Sequence, residues 1–312
     1  MVKKHSAVGM EISLGELTLK NPVAVASGTF GYAEEFSPFM DLRRLGAIVT
    51  KTVTLKARKG NPAPRSCETA SGMLNSIGLE NPGIDVFIKE KLPFLEKTGV
   101  PVIMSIATEG ELEEFRELAA IIDTLPSVAA VEINISCPNV SGRGKCKLVS
   151  QDMKLSAKTV RIVRAATSKP VITKLSPNVA DITEIARAAQ DAGSDALSLI
   201  NTLTGMAVDL GSRRPKLANV FGGLSGPAIK PVALRMVWEV FGAVTIPVIA
   251  MGGIANARDA LEFIVCGAAC VCPGTANFTN PSCAAEIIDG IGEYCAQNGI
   301  VDISELRGTL RL

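Results

Sequence analysis

The stretch "EINISCPNVSGRGK" (132–145) runs from an apolar strand into a cysteine, a proline and a glycine-rich polar segment. Asn134, Ser136, Cys137 and Asn139 leave it together, and their amide, hydroxyl and thiol groups offer hydrogen bonds rather than packing. Lys51 and Lys174 take comparable positions in "GAIVTKTV" (46–53) and "PVITKLS" (170–176), each within an apolar run that holds no Asp or Glu. A structural lysine would more often pair with a carboxylate, so the pair points to an anionic ligand. A cation beside the N1–O2 edge of an isoalloxazine stabilises the negative charge of reduction, which favours a flavin over a sugar phosphate. Capping of a loop carbonyl is the alternative for either lysine. The single histidine, His5, lies in the N-terminal tail. Unless that tail folds back into a site, any general base is another residue type.

These groups need elements to hold them. Apolar, β-branched runs recur at 22–28, 46–53, 100–107, 129–136, 170–176, 195–202, 246–253 and 268–275. Most lack polar alternation, as strands of a parallel sheet covered on both faces do. Helical spacing of apolar residues separates most of them, at 111–125, 152–167, 181–193, 230–244 and 256–267. Eight βα units in about 250 residues predict an α/β fold, the (β/α)8 TIM barrel. An open doubly wound sheet is the runner-up. "EISLGELTLK" (11–20) reads as an N-terminal β-hairpin that could plug the bottom of the barrel. No linker or low-complexity segment divides the chain, so one domain over residues 1–312 is expected, with inserted loops over the C-terminal face.

A barrel places chemistry at the C-terminal ends of its strands. Those ends are Ser27 and Gly28, Lys51 and Thr52, Ser105, Asn134 to Asn139, Lys174, Asn201 and Thr202, Gly252 and Gly253, and Gly274 and Thr275. The set is small, polar and cationic. "MGGIANARDA" and "CPGTANF" follow strands seven and eight, the usual phosphate position of this barrel, and "GGLSGPAIKP" adds Gly226 before another helix. Glycines let phosphate approach the backbone, and free amides at helix N-termini donate to it. One glycine pair is weak evidence. Three sites that converge by topology point to a phosphorylated ligand.

Composition excludes several classes. Lys plus Arg number 32 against 31 Asp plus Glu, so no strong overall field attracts nucleic acid or an anionic membrane. The basic N-terminus lacks an apolar run of signal-peptide type, and no apolar run reaches the roughly 18 residues of a membrane span. The cysteines at 67, 137, 146, 266, 270, 272, 283 and 295 form no CxxC pair, which argues against zinc and iron–sulfur ligation and fits a reducing cytoplasm. Cys266, Cys270 and Cys272 read as small core hydrophobes.

The motifs "ASGTFGY", "TKTVT", "NSIGLENPG", "NISCPNV", "KLSPNV", "INTLTGM", "LSGPAIKP", "MGGI" and "GTANF" occur in that order. Together they resemble the dihydroorotate dehydrogenase family over about residues 10 to 290. "GLENPG" and "LSGPAIKP" look most like its NAD-linked, two-subunit form, class 1B. The resemblance implies an FMN enzyme of pyrimidine biosynthesis that oxidises (S)-dihydroorotate to orotate, with Cys137 of the SCPN motif as the base that takes the C5 proton. By the same motifs, substrate meets Lys51, Asn75, Ser76, Ile77, Gly78, Leu79, Asn134, Asn139, Asn201 and Thr202. FMN meets Ser27, Gly28, Lys51, Thr52, Ser105, Asn134, Lys174, Ile200, Gly226, Gly252, Gly253, Gly274 and Thr275.

The resemblance also implies a homodimer core joined by a separate FAD and [2Fe–2S] subunit; the sequence itself shows no G-x-G-x-x-G after a strand and no iron–sulfur ligand set, so NAD would be handled elsewhere. The family's membrane-bound form carries serine as its base and an N-terminal membrane extension, so the chain is expected to be the soluble kind. Two departures stand out. "SGRGKCKLVSQD" replaces the GGxxFG-like continuation in the loop expected to close over the base, and Ser105 stands where relatives often carry Asn. A fumarate-linked one-subunit enzyme and a dihydropyrimidine dehydrogenase-like enzyme are the nearest alternatives. A flavin-free barrel isomerase and a non-catalytic binding subunit are the more distant ones.

Overall fold

The computed structural model describes residues 8–108, 111–136 and 149–312. Its centre is an eight-stranded parallel sheet. The strands are β1 (Ala24–Val25), β2 (Ala47–Val49), β3 (Val102–Ile106), β4 (Val128–Asn134), β5 (Val171–Lys174), β6 (Ala196–Leu199), β7 (Val248–Met251) and β8 (Cys270–Cys272). Each overlaps one of the eight expected runs, in the same order. A parallel bridge between Val23 and Val271 joins the first strand to the last, and Ala26 N–H donates to Pro273 O over 3.1 Å. That closure makes the sheet a barrel and removes the doubly wound alternative.

Strand parity sorts the apolar residues into two cores. Val102, Met104, Val131, Ile133, Val171, Leu197 and Val248 face outward and pack against the helices. Ala24, Ala47, Ile103, Ala130, Ile172, Ala196 and Ile249 fill the interior, where small residues leave room for neighbours on the facing strands. Leu14 and Leu19, from the antiparallel hairpin Ile12–Leu14 and Leu17–Leu19, are fully buried against this inner cluster. The hairpin therefore plugs the barrel bottom, and cutting either leucine to alanine costs about 2–5 kcal/mol.

The outer helices follow their apolar stripes. The helix Leu112–Asp123 buries Phe115, Leu118, Ala119 and Ile122 at spacings of three and four. Asp152, Asp181 and Asn256 cap three helices by accepting backbone N–H groups from Leu155, Thr183 and Asp259. Helices outside the expected set include Leu92–Thr98, between β2 and β3, and the long C-terminal Cys283–Gln297.

The inserted loops over the C-terminal face are themselves ordered as a sheet. Strands Ser66–Thr69, Gly72–Asn75, Phe221–Ser225 and Leu203–Met206 pair antiparallel, with Asn75 opposite both Ser66 and Gly223. This sheet gathers residues from two distant insertions over the barrel mouth.

Candidate active site

At the mouth lies a cavity of about 1000 Å³. Its floor comes from the strand ends through Ser27, Gly28, Lys51, Thr52, Asn134, Lys174, Ile200, Asn201 and Thr202. Its wall comes from the antiparallel sheet and the turn after it, through Asn75, Ile77, Gly78 and Leu79. Gly226, Gly252, Gly253, Gly274 and Thr275 line the remaining end. The tertiary structure thus brings together residues that the sequence scatters over nearly 250 positions.

One side is a network of amides and hydroxyls. Asn134, at the end of β4, donates from Nδ2 to Thr52 Oγ1 over 3.1 Å, and Thr52 Oγ1 lies 3.0 Å from Ser105 Oγ. Asn134 Oδ1 accepts from Ser136 Oγ at 3.3 Å and from Asn201 Nδ2 at 3.4 Å. Asn201 also donates to Ser136 Oγ over 2.9 Å. Four strand ends are locked together this way, so the amide planes are set before any ligand arrives. Such fixed, uncharged donors and acceptors suit a planar ring bearing amides and a carboxylate.

The second side is cationic. Lys51 lines the cavity beside Gly28, where an added Cβ would sit 3.9 Å from Lys51 Nζ. Lys174 donates from Nζ to Ser27 Oγ over 2.9 Å. The expectation that Lys174 lacks a carboxylate partner is corrected here: Glu132 Oε1 lies 3.7 Å from Lys174 Nζ, and both side chains are buried. The partner sits on the neighbouring strand. β4 and β5 pair with Asn134 opposite Lys174, so Glu132, two residues back, shares the inward face. Reading each strand alone does not show such a cross-strand pair.

Backbone forms the third side. Gly253 has φ +80, and a Cβ there would come within 2.9 Å of Lys230 N and Cα. Gly226 has φ +96, and its Cβ would meet Gly72 Cα at 2.7 Å. A side chain at either position would collide with neighbouring backbone, so these turns at the cavity edge require glycine. Thr275 Oγ1 donates to Ser225 Oγ over 2.8 Å and ties the β8 exit to the overlying sheet. Lys230 does not line this end of the cavity. It pairs with Asp259 at 2.6 Å and Glu262 at 2.8 Å, and these bonds raise its pKa above the usual lysine range.

Two expected site residues stand behind the wall rather than on it. Ser105 is buried against Thr52, and Ser76 accepts from Asn61 Nδ2 at 3.0 Å. Cys137 and Asn139 lie outside the described residues, as do the loop that follows them and His5. Ser150 N–H donates to Ile135 O over 3.2 Å, beside the strand exit that leads to Cys137. Sequence reading missed Glu132, Asn178, Ser225 and Cys272. Asn178 sits in the quoted "KLSPNV" and donates to both Ser176 Oγ and Thr202 O, holding the Asn201–Thr202 turn. Glu132 shares strand parity with Asn134, a signal available in "VEIN" but visible only once that strand is known to line a closed barrel.

The described residues hold no group of three or more His, Cys, Asp and Glu side chains able to bind a metal. No helix among them is long and apolar enough to cross a membrane. The family model for dihydroorotate dehydrogenase matches residues 10–295. The chain belongs to the dihydroorotate dehydrogenase family. Three curated relatives carry the name dihydroorotate dehydrogenase B (NAD(+)), catalytic subunit. That of Geotalea daltonii is 55% identical over 97% of this chain and 98% of its own. That of Trichlorobacter lovleyi is 56% identical over 96% and 98%, and that of Desulforamulus reducens 53% identical over 98% and 99%. Among solved structures, DHODH in complex with ferulenol from Eimeria tenella superposes with a TM-score of 0.79, covering 99% of this chain and 90% of that one. At 22% identity that likeness concerns the fold.

Dihydroorotate dehydrogenases are FMN enzymes, and the cavity fits that cofactor. Gly226, Gly252, Gly253 and Gly274 line one end of the cavity, and their lack of side chains suits close approach of its phosphate to the backbone. The Lys51 and Lys174 ammonium groups suit the pyrimidine edge of its ring.

Proposed function

We propose that this chain is the FMN-containing catalytic subunit of an NAD-linked dihydroorotate dehydrogenase, class 1B, working in the cytoplasm in de novo pyrimidine biosynthesis. It oxidises (S)-dihydroorotate to orotate, which removes a proton from C5 and a hydride from C6. The observation that carries this reading is one cavity joining an amide network, two lysines and a glycine-lined end. Near-full-length relatives of that name support it.

FMN, when bound, supplies the acceptor for the hydride. Ser27, Gly28, Thr52, Lys174, Ile200, Gly226, Gly252, Gly253, Gly274 and Thr275 would hold it. Lys51 would serve both ligands, as would Asn134, whose orientation Ser105 fixes through Thr52. Substrate would lie against Asn75, Ile77, Gly78, Leu79, Asn201 and Thr202, with Ser76 supporting that turn and Asn139 adding a contact. Asn134 and Asn201 would hold the ring by its amide and carboxylate edges, and Cys137 would take the C5 proton. A thiol has a reference pKa of about 8.5, so Cys137 works as a base near neutral pH if its site favours the thiolate.

Two catalytic chains would form the core, and a partner subunit with FAD and [2Fe–2S] would pass electrons to NAD. The test is to purify the chain alone and with that partner, then assay dihydroorotate oxidation. The chain alone should be a yellow dimer that reduces an artificial acceptor and barely reduces NAD, with NAD reduction restored by the partner. A colourless protein without dihydroorotate activity would overturn the reading. Efficient NAD reduction by the single chain would overturn the partnership, and fumarate-specific turnover would move the chain to the one-subunit class.

A further inference from the structure

The barrel interior beneath the cavity holds a charge that the proposed chemistry leaves unused. Glu132 is only 1% exposed, in the layer below Asn134. Its Oε2 accepts from Ser198 Oγ over 2.9 Å, while Oε1 has no hydrogen-bond partner among the described residues and faces Lys174 Nζ at 3.7 Å. The nearby Cys272 is fully buried, and its thiol is pushed up chiefly by a hydrogen bond with Cys270 and by burial, so it stays neutral. A carboxylate taken this far from water is kept only at a cost, and replacing such a pair by apolar residues is often neutral or stabilising. Its retention therefore invites an explanation beyond stability.

We propose that Glu132 is a positioning residue for the flavin. Its carboxylate holds Lys174 from below and offsets part of the lysine charge, which sets how strongly the site favours electrons on the isoalloxazine. This deepens the FMN reading above and rests on it. The ammonium has three donors. Ser27 takes one, and Glu132 attracts the group from the side of the barrel axis, so Lys174 is fixed in direction where it lines the cavity. In a dry interior, a negative charge at this distance weakens the field that Lys174 projects into the cavity. The barrel thus supplies a cation of moderated strength. Ser198 acts on the same balance, because its hydroxyl spreads the carboxylate charge by hydrogen bonding.

The experiment measures the flavin midpoint potential and the dissociation constant for sulfite, a nucleophile that leaves negative charge on the flavin. It uses wild type, Glu132→Gln and Ser198→Ala, all FMN-loaded. Glu132→Gln keeps the shape and the Ser198 contact but removes the charge. It should tighten sulfite about tenfold and raise the potential by about 30 mV, the equivalent of tenfold in a two-electron equilibrium. Ser198→Ala should move both the other way, by about two- to threefold in sulfite affinity, because the freed carboxylate turns more fully to Lys174. A purely structural Glu132 would lower thermal stability and leave both readings in place, and that result overturns the proposal. If Glu132→Gln does not fold, Ser198→Ala decides by its sign: no shift, or a shift upward, overturns it. Wild type that binds no FMN sinks the underlying reading. Wild type that is yellow and oxidises dihydroorotate, with unshifted variants, sinks this inference alone.

Discussion

Asn201 donates from Nδ2 to Ser136 Oγ over 2.9 Å, joining the exit of β6 to the last described residue before Cys137. The same amide reaches Asn134 Oδ1 at 3.4 Å, so one side chain orders two groups of the neighbouring exit. The residues around the proposed base are therefore held by a strand 65 positions away.

Cutting this tie should separate binding from cofactor retention. Asn201→Ala leaves Ser136 Oγ without its donor and Asn134 Oδ1 with only the Ser136 bond, and a buried oxygen left unsatisfied in this way costs about 1–3 kcal/mol. The expected outcome is a KM for dihydroorotate raised about 5- to 100-fold with FMN content unchanged, measured by steady-state kinetics and flavin absorbance. An unchanged KM would remove Asn201 from the substrate site.

Cys137→Ser tests the base. Because a hydroxyl is the weaker acid, flavin reduction by dihydroorotate should slow by about 10²–10⁴ near neutral pH and recover partly at alkaline pH. Orotate affinity and FMN content should hold. Stopped-flow reduction across pH checks this, and a wild-type rate at pH 7 would end the assignment.

Gly253→Ala probes the glycine-lined end of the cavity. An alanine at φ +80 carries about 1–2 kcal/mol of backbone strain, and its methyl would press on Lys230. FMN affinity of the apoprotein should fall at least tenfold, read by flavin fluorescence titration, with little change in secondary structure. Unaltered affinity would mean that end holds no phosphate.

Alkaline stability should reflect Cys283. Burial, helped by the negative charge of Glu286, pushes this thiol up to about 12 from an ordinary value of 9.0. Its Sγ–H donates to Asn277 Oδ1 at 3.2 Å, a bond available only to the neutral form. Above pH 9 the unfolded chain loses this proton while the folded chain keeps it, so stability falls as pH rises through the 9 to 12 window. The slope contributed approaches about 1.4 kcal/mol per pH unit. Urea unfolding at pH 8 and pH 10.5 should show the loss, and Cys283→Ala should flatten it.

Much of the site was legible beforehand because a parallel barrel has few degrees of freedom. Uninterrupted apolar runs separated by amphipathic helices allow little else, and the fold then assigns every strand exit to one face. Ser27, Lys51, Asn134, Lys174, Asn201 and Thr275 could be named from their places in those runs, and all line the cavity. Ser76 and Ser105 shared the right segments but not the right depth. The antiparallel sheet over the mouth was not foreseen, because Gly72–Asn75 and Phe221–Ser225 lie far apart and neither alternates strongly enough to announce its partner.

What the sequence determined by itself is the alternation of strands and helices, the family, and the chemical types gathered at the strand ends. These depend on local patterns and on ordered motifs. Which of those groups meet depends on strand closure and register. Closure between Val23 and Val271, and the register that sets Asn134 opposite Lys174, place Glu132 under the lysine and Thr52 between Ser105 and Asn134. Such contacts depend on the register between strands, and a shift of one residue would turn every inward side chain outward.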